Sequence, residues 1–218
     1  MVPHQKATKP GAELRRRVEL PADSVDYLVV GLGNPGSRFE GTLHNAGARV
    51  VELLATRFGV KLKVDARVRS RTAAVRMDGA RVLLAVPSVY MNESGSAVAP
   101  LLARHRVGDM ARVVVVHDEL DLEPGVVRVK RGGGLAGHHG LESVAAAVGR
   151  DFTRVRIGVG KPSHPSKGAE HVLSRPSGER RREFETALET AADAVEVIVT
   201  QGLDKAMTLF NARRPSRS

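Results

Sequence analysis

His44 lies at the end of a Gly-rich stretch, residues 31–47, GLGNPGSRFEGTLHNAG, beside Asn45 and at the start of a helical pattern. An imidazole at such a junction suits a general base that activates water near neutral pH. A histidine that merely helps cap the helix fits the same spacing. Asp118, in HDELDL (residues 117–122), follows the run Val113-Val114-Val115-Val116. A carboxylate at the end of a central strand could accept an imidazole N–H, fix its tautomer and stabilise the imidazolium. A strand-end or turn aspartate is the plainer alternative. Asn34 and Asn92 can both donate and accept, which suits positioning an ester or amide carbonyl and its peptide backbone. Asparagine is equally at home beside Pro-Gly and at helix starts.

Other chemistries fit less well. There is no cysteine and no G-x-S-x-G elbow, so the natural nucleophile is water activated by His44. His117, Glu119 and Asp121 could join His138 or His139 around a metal, but no tight ligand spacing supports this. Gly31-Leu32-Gly33-Asn34-Pro35-Gly36 matches G-x-G-x-x-G after a strand. A dinucleotide site, however, needs a helix that opens directly from the glycines. Here the helical pattern starts only after residues 37–44, and Pro35 removes a backbone donor. The run GGGLAGHHG (residues 132–140) lacks the Lys-Ser/Thr of a P-loop.

The elements that must hold these residues alternate between strands and helices. Residues 27–31 read as a buried strand. Val50, Val51, Leu54 and Phe58 predict a helix from about Ala46, with Asn45 as its cap. Residues 68–77 and 81–86 predict two strands around the hairpin signal Asp78-Gly79. Residues 94–105 predict a helix in which Pro100 is tolerable near the first turn, or kinks it. Residues 112–116 lack alternation and predict a central strand covered on both faces. Residues 126–130 predict another strand, 140–148 a short helix, and 154–160 a strand with one wet, basic face. Phe184, Leu188, Val195 and Val199 predict a long amphipathic helix, and Leu203, Met207 and Phe210 a short last one. The sum is one α/β domain, a mixed twisted sheet covered by helices.

The chain has 218 residues, enough for one such domain, and a net charge of +10. A basic protein of this size often binds a polyanion. Aromatic residues are only 3%, with no Trp, so nucleic acid would be held by phosphate contacts and shape rather than by base stacking. Residues 1–24 read as a flexible basic extension, 25–211 as the domain and 212–218 as a basic tail. No apolar run suits a membrane span or a secretory leader. With the absence of cysteine, this favours a cytoplasmic protein.

Five segments in order resemble the bacterial-type peptidyl-tRNA hydrolase family: VVGLGNPGSRFEGTLHNAG, PSVYMNESG, VVHDELDLEPG, the GGG…GHHGLES segment and RVRIGVGKP. The resemblance runs from about Asp26 to Asn211. It implies a single α/β domain, typically monomeric, that hydrolyses the ester joining a peptide to the tRNA 3′ end. It implies no metal and no organic cofactor. Carried over by motif, His44 matches the base, Asp118 its partner, and Asn34 and Asn92 the asparagines that position the peptide. Arg128, Lys130, Arg154 and Arg156 alternate on two strands and are expected to grip tRNA phosphates. The chain departs from the family at three kinds of position. His139 stands where GHNG has a substrate-contacting asparagine, Phe39 replaces a tyrosine, and Leu43 and Leu135 sit where relatives are often polar. A catalytically weak or inactive RNA-binding relative on the same scaffold is the alternative.

Overall fold

The computed structural model describes residues 24–162 and 164–212. The extension and basic tail expected from the sequence lie almost wholly outside those residues. Ser24, expected to close the extension, is buried within the domain.

Seven strands form one sheet in the order β2-β3-β4-β1-β5-β7-β6. They are β1 (Tyr27–Gly31), β2 (Lys63–Asp65), β3 (Ser70–Met77), β4 (Ala80–Pro87), β5 (Val113–Glu119), β6 (Val127–Arg131) and β7 (Thr153–Gly158). β1 runs parallel to β4 and β5, and β5 parallel to β7. The outer pairs are antiparallel. Helices α1 (Ala46–Arg57) and α5 (Gly178–Gln201) cover one face. Helices α2 (Gly95–His105) and α3 (His139–Val148) cover the other. α6 (Leu203–Asn211) packs beside β6. There the Asn211 carboxamide pairs with both backbone groups of Val129, which satisfies part of an exposed sheet edge.

The centre matches the hydrophobic pattern. β5 is buried at every residue, as its unalternating valines predict. Asp78 and Gly79 both take positive φ, 47° and 82°, the conformation a two-residue hairpin needs. β1 is the pivot of the topology. The chain leaves it through α1 and the β2 and β3 strands to β4 on one side, then returns through α2 to β5 on the other. Crevices at the carboxyl ends of parallel strands open at such a reversal, and that is where ligands bind.

Some local expectations change. Pro100 is the sixth residue of α2, inside the helix rather than in its first turn. β2 and the five-residue α4 (Gly168–Val172) were not foreseen, being too short to carry a period. β7 has no wet basic face. The glycine-rich turn after β6 folds back over it, so Arg154 is 1% exposed and Arg156 is ion-paired with Glu119.

Candidate active site

Gly31, the last residue of β1, and Gly47, the second of α1, serve close packing. A Cβ on Gly31 would lie 2.2 Å from the Gly47 carbonyl oxygen, and one on Gly47 would lie 2.0 Å from that of Val116. These two glycines bring the start of α1 directly against β1 and β5. Leu32 N–H then donates to Val116, and Ala48 N–H to Leu32. Gly31 and Gly33 of the G-x-G-x-x-G pattern thus serve contact with α1, whereas Gly36, at φ 98° with open space around it, serves the turn.

Asn45 occupies the N-cap position of α1, but its side chain makes no cap hydrogen bond. Instead its carboxamide holds the backbone of Asn34 from both sides. Asn34 N–H donates to Asn45 Oδ1 at 2.9 Å, and Asn45 Nδ2 donates to the Asn34 carbonyl at 3.0 Å. Asn34 Oδ1 in turn accepts from Met91 N–H at 2.8 Å. That link joins the loop after β1 to the loop after β4, which carries Asn92. Since the Asn34 oxygen is used, its –NH2 is what it can offer a substrate.

His44 sits in a single 3-10 turn just before α1, and Asp118 is the second-last residue of β5. His44 Nδ1 lies 3.0 and 3.2 Å from the two Asp118 oxygens. A carboxylate can only accept, so Nδ1 carries the proton and Nε2 keeps its lone pair. That is the tautomer of a general base with an orienting carboxylate.

A third member was missed. His138, considered from sequence only as a metal ligand, is the N-cap of α3. Its Nδ1 accepts from Gly140 and Leu141 N–H, and its Nε2 donates to Asp118 Oδ1 at 3.1 Å. The signal in the sequence was a polar residue immediately before the apolar period of α3, where a cap belongs. Asp118 therefore receives two imidazole N–H groups. Burial alone would raise its carboxyl; His138 and His44 reverse this and hold it well below the usual carboxylate range.

His117 points to the other face of β5. It is fully buried, and its Nδ1 donates to the Asp118 carbonyl at 2.6 Å. Burial, and then His138, push its imidazole well below the usual value, so it stays neutral.

Ligand atoms of His44, Asp118 and His138 lie within 4.8 Å of one another. The hydrogen bonds argue against a cation there. His138 Nδ1 is already an acceptor, so a metal at Nε2 would require an imidazolate.

These groups line a cleft of about 420 Å³ that also includes Asn34, Phe39, Met91, Asn92 and His139. Asn92 and His139 are exposed at its wall, and Phe39 meets Tyr90 edge-on at 6.3 Å between ring centroids. The basic residues divide. Lys130 is exposed at β6. Arg156 Nε is held by Glu119 at 3.0 Å. Arg128 Nη1 donates to the carbonyls of Val127 and Phe210. Arg154 is buried beneath the glycine-rich turn and offers no surface to a phosphate, a correction to its expected role.

The family model described as peptidyl-tRNA hydrolase matches residues 28–218. The chain is 50% identical to a peptidyl-tRNA hydrolase from Mycolicibacterium vanbaalenii over 186 residues, 85% of this chain and 96% of the relative. It is 46% identical to one from Frankia alni, over 88% of this chain and 98% of that one. The crystal structure of peptidyl-tRNA hydrolase from Acinetobacter baumannii superposes with a TM-score of 0.83 at 36% identity, covering 89% and 97% of the two chains. Matches of this extent in both sequence and structure leave one assignment: the chain belongs to the peptidyl-tRNA hydrolase family.

Proposed function

We propose that this protein hydrolyses the ester between a peptide and the 3′ end of tRNA, with His44 as the base. The observation that carries the reading is the His44–Asp118 pair, oriented with Nε2 unprotonated in a cleft lined by Asn34 and Asn92. His44 Nε2 takes a proton from water as the oxygen attacks the ester carbonyl carbon. Asp118 stabilises the imidazolium that forms. The C–O bond to the ribose then breaks, and the leaving oxygen takes the proton back from His44. The products are a free peptide acid and tRNA with its hydroxyl restored. Asn34 and Asn92 hold the peptide, and Phe39 and His139 form the walls on either side.

Lys130 and Arg156 are the proposed phosphate ligands for the body of the tRNA, with Arg128 beside them on the same sheet face. No helix among the described residues is long and apolar enough to cross a membrane. A monomer acting in the cytoplasm, where translation supplies the substrate, completes the proposal.

The test is single-turnover release of N-acetyl-aminoacyl groups from charged tRNA, comparing wild type, His44→Ala and His139→Asn. Hydrolysis by wild type that His44→Ala abolishes is the expected result. If wild type binds tRNA without hydrolysis and only His139→Asn is active, the chain is a specialised RNA-binding relative.

A further inference from the structure

Arg154 is the largest side chain in the interior, 1% exposed, and the chemistry above makes no use of it. Its Nη1 donates to the Gly134 carbonyl at 2.8 Å and its Nη2 to the Gly132 carbonyl. Its Nε is buried with no hydrogen-bond partner. Among the described residues no carboxylate forms an ion pair with it. Burial and then the neighbouring Arg156 act against its charge, and the Glu119 carboxylate offsets only part of this. A buried cation left this poorly compensated is costly, so its two backbone acceptors must matter to something.

Those acceptors belong to the turn that leads straight into His138. Gly132, Gly133, Ala136 and Gly137 all take positive φ, so neither helix nor strand pairing supports the segment. Its own backbone bonds lie at its ends, Gly132 N–H to Phe152 and His138 N–H to Leu135. Arg154 ties down the first half of the turn, from Gly132 to Gly134. A Cβ on Gly133 would come 3.3 Å from Arg154 Nη2; the nearer contact, Lys130 Nζ at 2.5 Å, is the end of a flexible side chain that can swing aside, so it is the φ of 86° that makes a side chain at Gly133 displace the turn.

We propose that Arg154 is a positioning residue, a buried guanidinium strut that sets the glycine-rich turn and thereby places His138 against Asp118 and His139 in the cleft. The inference rests on the hydrolase reading above. A planar fork spans two carbonyls at fixed separation; a single ammonium does not, so lysine is a poor substitute.

The experiment compares two substrates, N-acetyl-aminoacyl-tRNA and the same aminoacyl ester on a CCA trinucleotide, which lacks the tRNA body. Arg154→Lys and Arg154→Met should lower kcat on both by up to about tenfold, since misplacing a group of the site by 1 Å can cost this much. The Kd for tRNA and its salt dependence should not change. Gly133→Ala keeps Arg154 and displaces the turn, so it should give the same loss on both substrates even where an Arg154 variant fails to fold. A loss confined to full tRNA, with weaker binding and a shallower salt slope, would make Arg154 a phosphate ligand and overturn the proposal. So would unaltered kcat in Gly133→Ala. A wild type inert on both substrates would instead overturn the hydrolase reading itself.

Discussion

His138 donates its Nε2 proton to Asp118 at 3.1 Å because its other ring nitrogen already accepts from Gly140 and Leu141. One imidazole thus caps a helix and fixes a carboxylate at once. The start of α3 sets the His138 tautomer, His138 holds Asp118, and Asp118 aims His44. The order runs from a helix end on one face of the sheet to a base in the loop on the other.

Asp118→Asn should lower kcat by about 10²–10⁴, the usual contribution of base catalysis with its orienting group, while KM stays close to wild type. His138→Ala should cost less in rate, about tenfold, because His44 still reaches Asp118. It should also cost about 1 kcal/mol of stability, the typical worth of an N-cap. Single-turnover rates and thermal melts on the two variants check both. A His138→Ala protein with wild-type rate would separate the cap from the site.

Stability should fall in two acid steps. His117 is held neutral, so its folded pKa lies below the value of about 6.5 for a free imidazole. Between those values the unfolded chain binds the proton and the folded one does not, so stability drops as pH falls below about 6.5. The slope is at most about 1.4 kcal/mol per pH unit. Asp118 is depressed, so its contribution is complete above the unfolded value of about 3.9 and is lost only below it. Denaturant melts from pH 7.5 to 3.5 should show the first step in wild type and a weaker one in His117→Phe. An identical pH dependence in that variant would remove His117 as its source.

Much of this architecture was legible because it follows a period or a turn rule. The valines of β5, the Asp78-Gly79 hairpin and the apolar stripe of α5 each satisfy one local constraint. The four residues His44, Asp118, Asn34 and Asn92 were legible from residue type, and the fold gathers them at strand ends around one reversal in topology. What escaped is pairing at long range. Asn45 reads as a cap because its position is that of a cap; its grip on Asn34 depends on two glycines that let α1 approach β1. Arg154 reads as half of an alternating basic face because nothing in RVRIG reveals the turn that closes over it. His138 is one of two adjacent histidines, and only the direction of α3 tells which of them faces Asp118.

Gly47→Ala should be strongly destabilising, by about 3 kcal/mol, at the upper end for overpacking. The added Cβ would meet backbone, the Val116 carbonyl oxygen at 2.0 Å, and no side chain could swing away to relieve it. Gly108→Ala, which opens onto empty space with no positive φ, should stay within about 0.5 kcal/mol of wild type. Paired denaturant titrations give the comparison. Equal midpoints would mean that α1 shifts freely, and the site geometry would have to shift with it.

Lys130 supplies the last prediction, because the structure separates it from its neighbour across the strand pair. Lys130 lies opposite Arg154 in the β6–β7 register. Arg154 is buried on carbonyls, whereas Lys130 is exposed and, among the described residues, has no ion-pair partner. Such a cation costs little to desolvate against a phosphate and releases a counterion when it binds one. Lys130→Glu should therefore weaken tRNA binding, and the slope of log K against log salt should become shallower by about 1 or more. The CCA trinucleotide ester, with no tRNA body to grip, should lose far less. Binding isotherms at three salt concentrations decide it. A parallel line, displaced or not, would mean that Lys130 touches no phosphate, and the electrostatic grip on the tRNA would then have to be sought at Arg156 and Arg128.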